Sequence, residues 1–181
     1  METTQAAVDL RYPVGRFRWP GDLDDPGRAA LIGQIAEAPA RLLQAVQGLT
    51  PEQFDTPYRP EGWTVRQVAH HLSDSHLNSY LRFKLGLTED QPAIKTYDEA
   101  LWARLPDTQL TPVKTSIVLL EALHERWVHL LRSMTPADFA RTVHHPELGL
   151  ISLDRLLAIY AWHGRHHVAH ITSLRERMGW S

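Results

Sequence analysis

Cysteine is missing altogether from this chain of 181 residues. That excludes disulfides, thiolate metal ligands and a cysteine nucleophile. Any bound metal would have to be held by His, Asp or Glu. Charge of one sign is also in short supply. Nineteen Lys and Arg against 21 Asp and Glu leave a net charge of −2, with the basic residues scattered. No basic footprint for nucleic acid is visible. No apolar run approaches the roughly 20 residues needed to span a bilayer. The opening Met1-Glu2-Thr3-Thr4-Gln5 lacks the basic and then apolar stretches of a secretory leader. The expected location is therefore the cytoplasm. The hydrophobic fraction of 43% and charged fraction of 22% are ordinary for a globular protein, and the length fits one domain over residues 1–181.

Histidine is what the chain has in quantity. Seven of its eleven histidines fall in two windows, His70-His71-Leu72-Ser73-Asp74-Ser75-His76 and His163-Gly164-Arg165-His166-His167-Val168-Ala169-His170. Imidazole is the commonest protein ligand for zinc and suits nickel as well, and three imidazoles leave room for a reactive water or a substrate.

Periodicity predicts four long helices. The first runs from about Pro26 to Gln47, with a kink at Pro39. The second starts at Thr64, where Thr64 and Gln67 make a capping box, and ends near Leu85 or Gly86. The third spans about Pro112 to Ser133. The fourth spans Leu153 to Met178, with Ser152 as N-cap and Gly179 as its stop. Residues 1–24 read as an irregular lead-in. Residues 88–110 read as a long connection with a short helix around Tyr97 to Leu105. Thr50-Pro51-Glu52-Gln53-Phe54 after the first helix is echoed by Thr135-Pro136-Ala137-Asp138-Phe139 after the third. Each half is then helix, Thr-Pro turn, loop and His-bearing helix, and such halves would let the two His-bearing helices face each other in a bundle.

At about 100° per residue, the apolar stripe of the fourth helix passes through Leu153, Leu156, Leu157, Tyr160, Val168, Ile171 and Leu174. His167 falls inside it and His163 at its edge one turn earlier. This is the i, i+4 spacing of helical zinc sites. His170 lies just outside the stripe, and His166 well off it. On the second helix His76 lies inside the stripe, His71 at an edge and His70 opposite. Periodicity alone selects His76 as the buried one. His71 shares its edge with Gln67, Asp74, Ser75, Asn78 and Arg82, a polar strip suited to a substrate cleft or to a solvated face. His124, His129, His144 and His145 show no such arrangement and are expected at the surface or in loops.

Several long segments resemble the YfiT group of the DinB-like superfamily. They are Gly62-Trp63-Thr64-Val65-Arg66-Gln67-Val68-Ala69-His70-His71, the stretch from Asp74 to Lys84, and the stretch from Tyr160 to Ile171. Tyr12-Pro13-Val14-Gly15 and Arg177-Met178-Gly179-Trp180-Ser181 are similar too. The resemblance implies an all-α, four-helix-bundle fold and a homodimer. It implies one divalent metal per chain, zinc first and nickel second, held by His71, His163 and His167. Its choice of His71 differs from the periodicity choice of His76; its choice of His163 and His167 agrees with the helical geometry. It further implies a metal-dependent hydrolase, or a transferase that joins a low-molecular-weight thiol of the bacillithiol type to an electrophile.

In either case the bound metal would activate water or thiol for attack on a small electrophilic substrate. Asp74, Asn78 and Arg82 are candidates for orienting ligands or contacting substrate. The alternative is a non-catalytic metal- or ligand-binding bundle. A closed structural site needs a fourth ligand, here from His76, His170, His144 or a carboxylate.

Overall fold

The computed structural model describes residues 9–180. Residues 1–8, on which the leader reading rests, and Ser181 lie outside them. Four long helices make the bundle: α1 (Asp25–Val46), α3 (Val65–Thr88), α6 (Val113–Ser133) and α8 (Leu153–Met178). Their ends sit where local chemistry places them. Thr64 caps α3 through a full capping box with Gln67. Ser152 accepts from the Arg155 N–H at the start of α8. Gly179 ends α8 in the left-handed region at φ 63°, where a Cβ would be strained. The two Thr-Pro segments form matching one-turn helices, α2 (Pro51–Phe54) and α7 (Pro136–Ala140), each closed by a capping box from its threonine.

The long connection holds two short helices, α4 (Glu99–Trp102) and α5 (Pro106–Leu110), rather than the one expected. The loop expected between the second Thr-Pro turn and α8 holds a hairpin instead. β1 (Thr142–His145) and β2 (Gly149–Ser152) pair antiparallel, with Val143 opposite Ile151. Both of these side chains are buried, and burying them stabilises a hairpin too short to announce itself by alternation.

Helix directions follow from which ends meet. Arg28 in the first turn of α1 grips Asp154 in the first turn of α8. Arg175 near the end of α8 donates to the Ala45 and Gln47 carbonyls at the end of α1. These two helices are therefore parallel. His70 meets Ser116, and His76 meets His124, so α3 and α6 are parallel as well. Arg82 meets Tyr160 while His71 meets His163, so α3 and α8 are antiparallel. The long helices pack in the ring α1–α6–α3–α8. A chain leaving α3 must travel back along the bundle to enter α6 in parallel, which is why a long connection stands there. It passes along α3, where the Lys95 and Ala103 carbonyls accept from Arg82 and Gln67.

The apolar core is divided in two. One cluster holds Phe83, Trp127, Leu131, Leu153 and Leu157. The other holds Leu42, Val65, Leu72, Leu120 and Ile171. Between them lies a layer carrying His76, Ser79, His124, His163 and Gly164. A Cβ on Gly164 would stand 3.3 Å from the Ala38 Cβ and 3.6 Å from the His76 ring. Glycine there lets α1 and α8 close around the polar layer.

The Arg28–Asp154 pair is bidentate, at 2.8 and 2.7 Å. The two side chains are only 14% and 10% exposed. Asp154→Ala would leave the half-buried guanidinium with its exposed Asp25 contact alone. We expect a loss of about 2 kcal/mol in urea unfolding, since removing one partner of a buried charged hydrogen-bonded pair costs more than the pair contributes.

Candidate metal centre

His71 on α3 and His163 and His167 on α8 converge. One ring nitrogen from each lies within 4.8 Å of the others, and the His71 and His163 Nε2 atoms are 3.3 Å apart. Helical phase accounts for this. One turn separates His163 from His167 on α8, and the antiparallel α3 brings His71 opposite both. The Trp63 ring covers His71 and stacks on His167, with centroids 4.7 and 6.2 Å away. The second helix thus supplies both of its candidates. His71 joins the cluster, and His76 is the buried residue that periodicity selected, at 0% exposed.

The three imidazoles form part of the wall of a cavity of about 370 Å³. Arg82, Tyr97, His145 and Tyr160 line it as well. His163 is the partly exposed member of the trio, while His71 and His167 are buried. Burial pushes the His71 pKa down to about 4, helped by the charge of His166, and burial holds His163 and His167 well below the usual imidazole range. All three are therefore neutral near pH 7, with lone pairs available. Burial pushes the Tyr97 hydroxyl up to about 12, so it too is neutral.

The polar strip on α3 divides. Arg82 is buried and reaches the cavity, donating to the Tyr160 hydroxyl and the Lys95 carbonyl, both at 2.9 Å. Asn78 turns back onto its own helix and donates to the Asp74 carbonyl at 2.8 Å. Asp74 is half-buried, and burial together with nearby Asp107 raises its pKa to about 6. Neither Asp74 nor Asn78 is among the residues lining the cavity.

Several histidines lie elsewhere than expected. His124 is buried rather than at the surface: its Nδ1 donates to the Ile35 carbonyl at 2.7 Å, and its Nε2 lies 2.8 Å from the His76 Nδ1. His166 and His170 are buried because residues 9–24 fold over that side of α8. Tyr12 packs on His166, and the Arg11 carbonyl accepts from the His170 Nε2 at 3.1 Å. His70 is buried because α6 packs against the face of α3 opposite the stripe, bringing Ser116 within 2.7 Å of its ring. His145 partly faces the cavity from β1. His129 and His144 are exposed, as expected. His166, His167 and His170 also form a second trio, which shares His167 with the first.

Sequence reasoning did not single out Trp63, Tyr97 or Tyr160. Tyr160 had a usable signal, because it lies three residues before His163 and so on the same helical face. Tyr97 had none, since its place depends on the path of the long connection.

Comparison with known proteins agrees with this architecture. Residues 34–171 match the DinB superfamily. A Bacillus mycoides protein named "Putative metal-dependent hydrolase" is 54% identical over 172 residues, covering 95% of this chain and 99% of that one. A Bacillus cereus protein of the same name is 52% identical over the same shares. The solved structure of YfiT from Bacillus subtilis, described as "a probable metal-dependent hydrolase with an unusual four-helix bundle topology", superposes with a TM-score of 0.93. It is 48% identical, covering 96% of this chain and all of that one. The chain belongs to the DinB superfamily, in its YfiT group.

Proposed function

We propose that this protein is a metal-dependent enzyme acting on a small electrophile, with His71, His163 and His167 as the ligands of one divalent ion. The observation that carries this reading is three imidazoles converging at the wall of a cavity of about 370 Å³. The donor set fits zinc first and nickel second, being all nitrogen with no thiolate. An open coordination position is favoured because the three histidines considered above as a fourth ligand are placed away from the trio's open side. His76 contacts His124 and His163, His170 donates to the Arg11 carbonyl, and His144 is exposed. When bound, such an ion would lower the pKa of a coordinated water to about 7, or stabilise a thiolate.

The chain's own groups then shape the reaction. Trp63 shields His71 and His167 from bulk water. Arg82 places a cation in the wall, suited to a carboxylate on the substrate or on a thiol co-substrate. Because Arg82 donates to the Tyr160 oxygen, the Tyr160 O–H is left to donate to an oxygen of the substrate. A carbonyl or ester substrate makes the enzyme a hydrolase, the reading that the relatives' names support. An epoxide or alkyl halide makes it a thiol S-transferase.

The deciding experiment follows substrate loss by zinc-loaded protein, with and without a panel of low-molecular-weight thiols. Thiol-independent loss that chelation abolishes is expected for the hydrolase. Loss that requires a thiol and yields its conjugate would establish the transferase. Absence of turnover across ester, epoxide and halide substrates, with or without thiol, would favour a non-catalytic bundle.

A further inference from the structure

His163 stands at one end of a chain of buried histidines that ends on one backbone carbonyl. The relay begins with Pro39 inside α1. A residue at that position of a helix normally donates its N–H to the carbonyl four residues earlier, and proline has none to give. The Ile35 carbonyl is thereby released, and the His124 Nδ1 takes it at 2.7 Å. A carbonyl can only accept, so the His124 Nδ1 carries a proton. A neutral imidazole has one donor and one acceptor, which leaves the His124 Nε2 as acceptor. The His76 Nδ1, 2.8 Å away, must then donate. The His76 Nε2 is in turn the acceptor for the His163 Nδ1 at 3.2 Å. The last link leaves the His163 Nε2 bare, and that is the atom facing His71 at 3.3 Å.

Neutrality of the relay is set by its surroundings. His76 and His124 are 0% and 2% exposed. They are enclosed by Trp127, Tyr160 and one another. Among the described residues no carboxylate forms an ion pair with any of the three rings. A cation there would be buried without a counter-charge.

We infer that His76 and His124 are positioning residues: anchored on the carbonyl that Pro39 frees, they hold His163 in its Nδ1–H tautomer with the Nε2 lone pair presented to the cluster. Its bearing on metal affinity rests on the proposed metal site; the tautomer itself does not.

The test has two arms. In the first, two-bond ¹H–¹⁵N spectra of the metal-free native protein report which ring nitrogens carry protons. His163, His76 and His124 are each expected to be protonated at Nδ1 and bare at Nε2. A proton on the His163 Nε2 would overturn the relay. This arm decides the matter even if the protein binds no zinc, an outcome that would sink the metal reading alone.

In the second arm, zinc affinity is measured by chelator competition in His76→Leu and His76→Gln, with circular dichroism as the folding check. Leu cannot accept from His163. Its affinity should fall 10–100-fold, the usual consequence of losing an outer hydrogen-bond partner of a ligand. Gln can accept with its oxygen and donate with its amide, and should restore most of the loss. A folded His76→Leu protein that binds zinc as tightly as the native chain, with His163 still wholly Nδ1–H, would show that the relay positions nothing.

Discussion

Replacing His163 with alanine is expected to abolish stoichiometric metal binding. Native protein equilibrated at low free zinc should retain one ion per chain, and His163→Ala close to none. The His163 Nε2 stands 3.3 Å from that of His71, and its ring lies 4.5 Å from that of His167, one turn on. Without it, the two remaining imidazoles are one on each helix. The affinity loss should exceed the roughly 100-fold upper range seen when only an outer partner of a ligand is removed. Elemental analysis after dialysis measures it. His170→Ala is the informative companion, because His170 belongs only to the second trio. If His170→Ala lost the ion and His163→Ala kept it, the metal would sit at His166, His167 and His170 instead. Exposed His129 serves as the control that should change nothing.

Acid should unfold the metal-free protein well before ordinary carboxylate titration. Burial lowers the pKa of His124 from 6.5 to about 4 and holds His76, His163 and His167 well below 6.5. Between those values the unfolded chain binds protons that the folded chain excludes. Stability then rises with pH, so it is fully present above 6.5 and is lost as pH falls toward 4. His124 alone accounts for about 3 kcal/mol across that window, and the other buried histidines add losses of the same sign. Asp74 opposes them, because its carboxyl is raised to about 6 in the fold and its protonation favours the folded state on acidification. One such group does not offset several histidines. Urea midpoints measured at pH 7.5, 6 and 5 should fall steadily, and zinc should raise the midpoint most at pH 7.5, where protons compete least for the ligands. A midpoint that stayed level or rose between pH 7.5 and 5 would mean that these imidazoles are not kept neutral by burial.

What could be read along the chain was what depends on near neighbours. The starts of α3 and α8 were written in Thr64, Gln67 and Ser152, and the end of α8 in Gly179. The His163/His167 pair was legible because helical phase is a local property. The burial of His76 was legible for the same reason. His71 was not singled out by periodicity, since an edge position beside Asp74 and Arg82 looks the same whether it borders a cleft or solvent. The resemblance named it, and the structure places it in the cluster. The burial of His124, His166 and His170 could not be read locally. A helix gripped on two or three sides has no single stripe, and what grips these residues comes from distant parts of the chain.

Pro39 shows the limit most sharply. As sequence it marks a break in a helix. In the fold it frees the Ile35 carbonyl, and a histidine 89 positions away takes it. By itself the sequence determined four amphipathic helices, the caps of α3 and α8, the absence of cysteine ligands and disulfides, and a paired set of imidazoles on α8. Only the tertiary structure decided that α3 and α6 run parallel, that the long connection brings Tyr97 to the site, and which ring nitrogens face one another. Those properties depend on contacts between residues far apart in the chain, which hydrophobic periodicity does not encode.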